Sequence, residues 1–454
     1  MAYYILKSYK FSDNSLSLFN ALKVERYPFF LESSINSRPL GRYSFLGCNP
    51  FHILDTKDKE PFSELKMMLD KYKIAALNKI SPFLGGAVGY LSYDLGFMME
   101  RKLVRKINDE LPLPDCFFGF YDTVLIHDHF RKRLFLFSSG LPETKYNLAK
   151  RRAESRFKET LALLRRVQRQ PRRGFNRKKR SPGTAVKSNF SKQQYIEVVK
   201  KAKEYIKKGD IYQVNLAQRF TAQAPLAADA LYGRLRNLSP SFFSGYLDCG
   251  DFQIISSSPE RFLNLNGRLI TTRPMKGTRP RSRDKAKDHG LKKELVESAK
   301  DKAELIMIVD LERNDLGRVC SYGSVKIETL RELETYNTVF QTTATVSGLL
   351  HKDKDRIDLL KACFPGGSVT GCPKIRAMEI IEELETARRS VYTGSLGYLS
   401  FSGDMDMNIL IRTIIKKQER IYFHAGGGIV ADSQPEAEYE ETLVKARAMI
   451  EAIS

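Results

Sequence analysis

The sequence predicts a chain of mixed strands and helices, with antiparallel pairing at its chemical centre. Three observations carry this. Short apolar stretches bounded by Gly, Pro and Ser recur through residues 1–150, as strands and short helices do. Asn266-Gly267 lies between two alternating apolar flanks, a strong two-residue hairpin signal. Helical segments follow at 191–208, at 291–308 and from Ser433 onward. At 454 residues the chain suits two to three domains or one large two-layer unit.

In chain order, residues 28–34 read as a strand ending in polar residues and 41–47 as a short strand with glycine at each end. Residues 82–94 read as a buried strand broken by glycines. These belong to an N-terminal part, 1–150. A helix at 146–168 and a Pro/Arg/Gly linker at 170–188 make 151–189 the seam before a C-terminal region, 190–454. There Ser191 caps an amphipathic helix that Gly209 closes. Residues 210–220 form a strand with polar groups at alternate positions. Such buried amides must be bonded within the protein or to a ligand. Residues 366–374 are not a phosphate loop, since Cys372 rather than Lys-Ser/Thr follows Gly371. They read as a loop entering a helix at 373–384. Residues 420–425 are a strand running into Gly426, Gly427 and Gly428, whose bare backbone can offer N–H groups to a carboxylate.

No run of 18 apolar residues marks a transmembrane helix, and the first residues lack the long apolar segment of a signal peptide. Six scattered cysteines without a CxxC pair, and six histidines without HExxH, argue against zinc and fit a reducing cytoplasm. The net charge of +22 raises nucleic-acid binding as an alternative. However, residues 150–187 hold 15 Lys/Arg against two Glu, a net of +13, which leaves +9 elsewhere. Past its helix that block has one aromatic, Phe175, so stacking platforms are lacking and nucleic acid is not expected.

With Asn266 and Gly267 as the loop, Leu265 faces Arg268 and Glu260 comes opposite Arg273; Lys276 lies three residues beyond. A carboxyl that can give a proton and an amine that can attack carbon thus share one hairpin end. Arg273, Arg279 and Arg281 supply like charge, which disfavours the ammonium form. The alternative is a basic hairpin end in water, with Glu260 pairing an arginine. On the helix at 291–308, Glu297, Asp301 and Glu304 share a face. On the last helix, which opens with a capping box at Ser433–Glu436, so do Glu438, Glu441 and Lys445. Oxygen-only clusters suit Mg²⁺, which keeps several waters; the alternative is two acidic solvent faces.

Read together, several stretches closely resemble the chorismate-utilising enzymes. They are Gly209-Asp210-Ile211-Tyr212-Gln213-Val214-Asn215, Ser257-Ser258-Pro259-Glu260-Arg261, Arg273-Pro274-Met275-Lys276-Gly277-Thr278 and the run from Ile308 to Gly317. Gly367–Lys374, Tyr392–Tyr398, Asp406–Thr413 and Gly426–Ser433 continue the match through Glu438, Glu441 and Lys445. The resemblance covers 190–454 and, more thinly, the N-terminal part. It implies an α+β fold of two packed antiparallel β-sheets with outer helices and the site between them. It implies that Glu304 and Glu441 hold Mg²⁺ with Asp301 and Glu438 in support. Arg412, Lys445, Tyr392, Gly426, Gly427, Gly428, Thr278 and Gln213 would bind chorismate, and Glu260 would protonate the departing C4 hydroxyl. Lys276 stands where the anthranilate synthases usually carry Ala and the aminodeoxychorismate branch a nucleophilic Lys. Gln213 stands where the isochorismate branch carries a water-activating Lys. Thr370 also fits the aminodeoxychorismate branch. The resemblance therefore implies C4 amination, with ammonia from a separate glutaminase subunit, since no Gly-x-Cys-x-Gly elbow is present. Three positions depart from the pattern: Gln341 replaces a frequent His, Cys372 replaces Ala, and Ser239 and Phe242 replace Asn and Pro. The last two leave open whether tryptophan binds through Glu32 and Ser33.

Overall fold

The computed structural model describes residues 3–12, 14–35, 40–74, 80–100, 102–168, 185–336 and 339–454. Most of the basic linker lies outside the described residues. Two sheets organise the chain, one of twelve strands and one of ten, and the α+β expectation holds. Both draw strands from either side of the 151–189 segment. In the larger sheet Phe29–Glu32 pairs with Phe243–Asp248, placing Leu31 beside Gly245. In the smaller, Gly86–Leu91 pairs with Ser395–Ser400, placing Gly89 beside Gly397. A Cβ on Gly89 would lie 1.9 Å from the Phe117 carbonyl oxygen, so that position tolerates no side chain.

Alternation explains the layering. Along Phe252–Ser258 and Cys116–Tyr121, apolar residues point inward, and Phe29, Phe117, Tyr121, Ile254, Leu396 and Tyr398 from both sheets form the central core. Outside the ten-stranded sheet pack the helices Phe62–Lys71, Ala299–Gly317 and Arg356–Cys363. Outside the other pack Ala228–Leu238 and Pro435–Ile453. Among the described residues no helix is long and apolar enough to cross a membrane.

Local differences from the sequence reading have physical causes. The hairpin loop is Gly267-Arg268, one residue later than expected: Asn266 pairs with Leu269, and after a bulge between Arg261 and Asn264 it is Arg261, not Glu260, that stands opposite Arg273. Gly267 takes φ +59°, whereas Arg268 does not adopt positive φ. A turn needing positive φ only at its first central residue places its glycine there. The helix at 291–308 is two helices, Lys285–Glu297 and Ala299–Gly317, because extended Ser298 caps the second by accepting from the Asp301 N–H (3.2 Å). Glu297 thus ends the first helix and does not share a face with Asp301 and Glu304. Ser433 is not a helix cap: Gln434 occupies that position, Pro435 follows it, and the Ser433 hydroxyl donates to Glu438 (2.7 Å). Gly426, Gly427 and Gly428 are not a loose run past a strand end. They lie inside the strand Arg420–Ile429, opposite Ala217, Leu216 and Asn215 of Gln213–Gln223.

Arg389 ties these pieces together. It is 2% exposed, forks onto Glu385 (2.6 and 2.9 Å), and donates to the carbonyls of Val369 (2.9 Å) and Asn215 (2.7 Å). Arg389→Ala strands a buried carboxylate and two carbonyl acceptors. It should cost about 3–5 kcal/mol in urea unfolding; a loss below about 1 kcal/mol would show that the pair does not hold the strand.

Candidate functional site

The strand Arg261–Asn266 starts one residue after Glu260, which is 4% exposed. Its main chain is fixed at both ends: the N–H donates to Ser258 Oγ (3.3 Å) and the carbonyl accepts from the Ile409 N–H (3.1 Å). Burial pushes its carboxyl up to about 7, against the opposing pull of a Ser368 hydrogen bond and of Lys276. At neutral pH it holds its proton much of the time.

Lys276 lies on Met275–Pro280, paired with Thr342 of Val339–Leu349. The Thr342 hydroxyl donates to the Lys276 carbonyl. The three arginines expected to crowd the amine are each matched by carboxylates: Arg273 by Glu332 and Glu334, Arg279 by Glu294 and Asp301, Arg281 by Asp288. Their charge is met by these carboxylates, from seven to 61 residues away in sequence. Lys276 Nζ instead stands 3.6 Å from Glu304 and 3.1 Å from where a Cβ on Gly428 would lie, beside the Gln213 amide.

Glu304 leads into an alternating cluster of charge. Lys300 lies 3.9 Å from Glu304 and 3.6 Å from Glu438, and Lys445 lies 2.7 Å from Glu441. A Cβ on Gly427 would lie 3.3 Å from Glu438 Oε2, 3.5 Å from Glu441 Oε1 and 3.7 Å from Lys445 Nζ. Lys445 also donates to the Gly426 carbonyl (2.9 Å). Lys445 holds the Glu441 carboxyl below the usual carboxylate range, with Lys276 and Lys300 adding to the effect. Burial, with Glu441 nearby, holds Glu438 above it. Lys300 was not singled out in the sequence, although its place four residues before Glu304 is a readable helix spacing.

These carboxylates suit a divalent cation. One ammonium lies within 4 Å of carboxylates from two helices, so both aim at a common cationic point. Among the described residues, however, no group of three or more His, Cys, Asp or Glu side chains is gathered closely enough to hold a metal ion. Asp301 is engaged by Arg279 (3.2 Å) and packs against Gly277.

The Arg412 guanidinium donates to Ser239 Oγ (3.4 Å) and has no ion-pair partner among the described residues. Burial alone lowers its pKa. A buried cation is costly unless opposite charge or hydrogen bonds meet it. Tyr392 stacks on His424 (5.0 Å, 12°). Thr278 is exposed, beyond a bulge at Gly277, and is not brought to the cluster. Gln341 bonds Met275 Sδ (3.7 Å) and Glu334 (3.5 Å). Glu32 and Ser33 line a separate cavity of about 440 Å³ with Phe242 and Tyr398. There Tyr232 (2.6 Å) and Arg236 (2.6 and 3.1 Å) already satisfy Glu32.

Comparison with known proteins follows this geometry. The family described as chorismate binding enzyme matches residues 27–451. Anthranilate synthase component 1 of Acetivibrio thermocellus is 39% identical over 468 residues, spanning 99% of this chain and 94% of that protein. Aminodeoxychorismate synthase component 1 of Escherichia coli K12 is 38% identical over 451 residues, spanning 96% and 95%. The crystal structure of anthranilate synthase component I from Streptococcus pneumoniae TIGR4 aligns with TM-score 0.79 at 32% identity, covering 92% of this chain and 93% of that one.

The raised Glu260 carboxyl sets a stability profile. Folding tightens its proton, so the stability it contributes is fully present below the ordinary value of 4.5 and is lost as pH rises through about 7. Glu260→Gln removes that dependence. Equal melting of the two proteins near pH 4.5, with the variant ahead by on the order of 3 kcal/mol above pH 8, is the expected result. A constant difference across that range would contradict it.

Proposed function

We propose that this chain, which belongs to the chorismate-binding enzyme family, aminates chorismate at C4 to give 4-amino-4-deoxychorismate, the precursor of p-aminobenzoate and folate. Ammonia comes from a separate glutaminase subunit in the cytoplasm. The observation that carries the reading is Lys276, a lysine amine at the glycine strand beside Gln213, whose one ion-pair contact among the described residues is Glu304.

The chemistry divides among the chain's own groups. The Lys276 amine adds to C2, the ring double bond shifts, and the C4–O bond breaks. Glu260 gives its proton to the departing oxygen, which leaves as water. Ammonia then adds at C4 as the pair shifts back, and the C2–N bond breaks to free Lys276 as a neutral amine. Glu260 regains its proton from solvent. A positioned acid of this kind is worth ~10²–10⁴ in rate. Arg412, Lys445, Tyr392 and the amides of Gly426 to Gly428 orient the two carboxylates. Glu304 and Glu441 would hold Mg²⁺, with Asp301 and Glu438 in support; when bound, the ion supplies positive charge to a substrate carboxylate. The cavity beside Glu32 and Ser33 is where tryptophan would bind.

A second reading, anthranilate synthase component I, is favoured by a relative of that name at 39% identity, beside 38% for the aminodeoxychorismate synthase. Product identity separates the two. With chorismate, Mg²⁺ and ammonium salt, wild type should yield aminodeoxychorismate, and intact mass should show a lysine adduct. Lys276→Ala should lose that product by at least ~10²-fold, with anthranilate appearing in its place. Wild-type rates of aminodeoxychorismate from Lys276→Ala would overturn the covalent step; anthranilate and pyruvate from wild type would overturn the branch. In Glu441→Gln the Mg²⁺ titration should shift to higher concentration and most activity should go; an unchanged titration removes Glu441 from the metal set.

A further inference from the structure

Glu312 is a titratable group that the chemistry above does not use. It lies on the helix Ala299–Gly317, eight residues beyond Glu304. Eight residues advance a helix about 12 Å. Glu304 reaches Lys276 (3.6 Å), and Glu312 accepts from the Thr272 hydroxyl (2.9 Å). The helix therefore runs along the hairpin arm that carries Thr272 and Lys276, in the opposite direction to it.

Two contacts bring this turn of helix to the acid. Arg273, next to Thr272, pairs with Arg261, next to Glu260. On the other side, a Cβ on Gly367 would lie 2.6 Å from Leu311 Cδ2, and the following residue, Ser368, bonds the Glu260 carboxyl. Leu311 and Glu312 thus touch the loop and the hairpin that hold Glu260.

The charged groups around Glu312 are Glu260, Asp315 and Lys374. Lys374 is already matched by Asp315 (2.6 Å), and Glu312 has no ion-pair partner among the described residues. Burial holds its carboxyl well above the ordinary range against the pull of Thr272, and Glu260 adds to the rise. Neighbouring carboxyls resist ionising together. Glu312 therefore keeps its proton while Glu260 is ionised.

Exposure separates the two. Glu260 is 4% exposed and must regain a proton in each turnover, whereas Glu312 is partly open to solvent. A carboxyl with one edge in water gives a buried acid a shorter route to the solvent's protons than direct entry does.

We infer that Glu312 is a relay residue that reloads Glu260 with a proton after each turnover. The Glu312 O–H bond breaks as an O–H bond forms on the Glu260 carboxylate, with one water passing the proton between them. Glu312 then takes a proton from solvent. It acts through Glu260 rather than on substrate, and the inference rests on the reading that Glu260 is the acid.

The test assays the full chain in dilute HEPES with saturating chorismate, Mg²⁺ and a constant, saturating concentration of ammonium chloride. Glu312→Gln keeps an oxygen for the Thr272 hydroxyl and removes the transferable proton. Its kcat should stay within about twofold of wild type at pH 6, where hydronium is more plentiful, and fall at least ~tenfold below wild type at pH 8. The KM for chorismate should change by less than about twofold. Rising imidazole at pH 8 should restore the variant's rate, because a small acid replaces the missing carboxyl, and should leave wild type unchanged. Glu312→Asp keeps a carboxyl and should remain within about threefold of wild type at both pH values. If the glutamine variant does not fold, Glu312→Ala is read the same way, with imidazole entering the space left. A loss equal at both pH values and indifferent to imidazole would mean that Glu312 only supports the hairpin, and the relay falls. A wild-type rate at pH 8 in dilute buffer overturns it as well. Glu260→Gln should lose activity at both pH values without responding to imidazole. Full activity in that variant would sink the acid assignment itself, a result distinct from a pH-independent loss in Glu312→Gln.

Discussion

Backbone without side chains at Gly427 and Gly428 lets the two sheets and two helices meet. A Cβ at Gly428 would lie 2.5 Å from the Gln213 amide nitrogen, inside any contact a real side chain makes. Lys276 arrives from the ten-stranded sheet, Gln213 from the twelve-stranded one, and Glu438, Glu441 and Lys445 from the last helix. Larger residues here would displace the ends of Gln213, Lys276, Glu438, Glu441 and Lys445. Packed interiors absorb little such displacement, so the geometry of the cleft depends on these two positions.

Charge balance supplies the second constraint. Glu304, Glu438 and Glu441 face Lys276, Lys300 and Lys445, and each carboxylate has an ammonium within 4 Å. Three like charges so close in a partly desolvated cleft would repel strongly without that pairing. The cluster is nevertheless uneven. Glu441 is half exposed and held ionised by Lys445, whereas Glu438 is buried and bonded by Ser433. Two carboxylates three residues apart on one helix therefore differ in their readiness to carry charge.

What the sequence made readable was local or periodic. The long helices, the strand at 210–220 and the shared end of the Glu260–Lys276 hairpin follow from spacing and turn chemistry. The one-residue slip of the loop and the bulge that follows it do not, because turn type depends on φ at Arg268 rather than on the presence of an Asn-Gly pair. The break at Ser298 was masked by a run of good helix formers. The pairing of Arg273 with Glu332 and Glu334, 59 and 61 residues away, is fixed by tertiary register alone. So is the stacking of His424 on Tyr392.

Glu260 and Glu441 show how one cleft holds carboxyls in opposite states. Both have Lys276 and Lys445 among their electrostatic neighbours, which alone would keep both ionised. Burial decides between them. Glu260 is enclosed by the hairpin and the loop at Ser368, and desolvation outweighs the lysines; Glu441 opens to solvent, and Lys445 touches it at 2.7 Å. A carboxyl that is neutral near pH 7 can give a proton, and one that stays charged can bind a cation. When two like groups are pushed apart in this way, their environments match the acid and ligand roles proposed for them before any substrate enters.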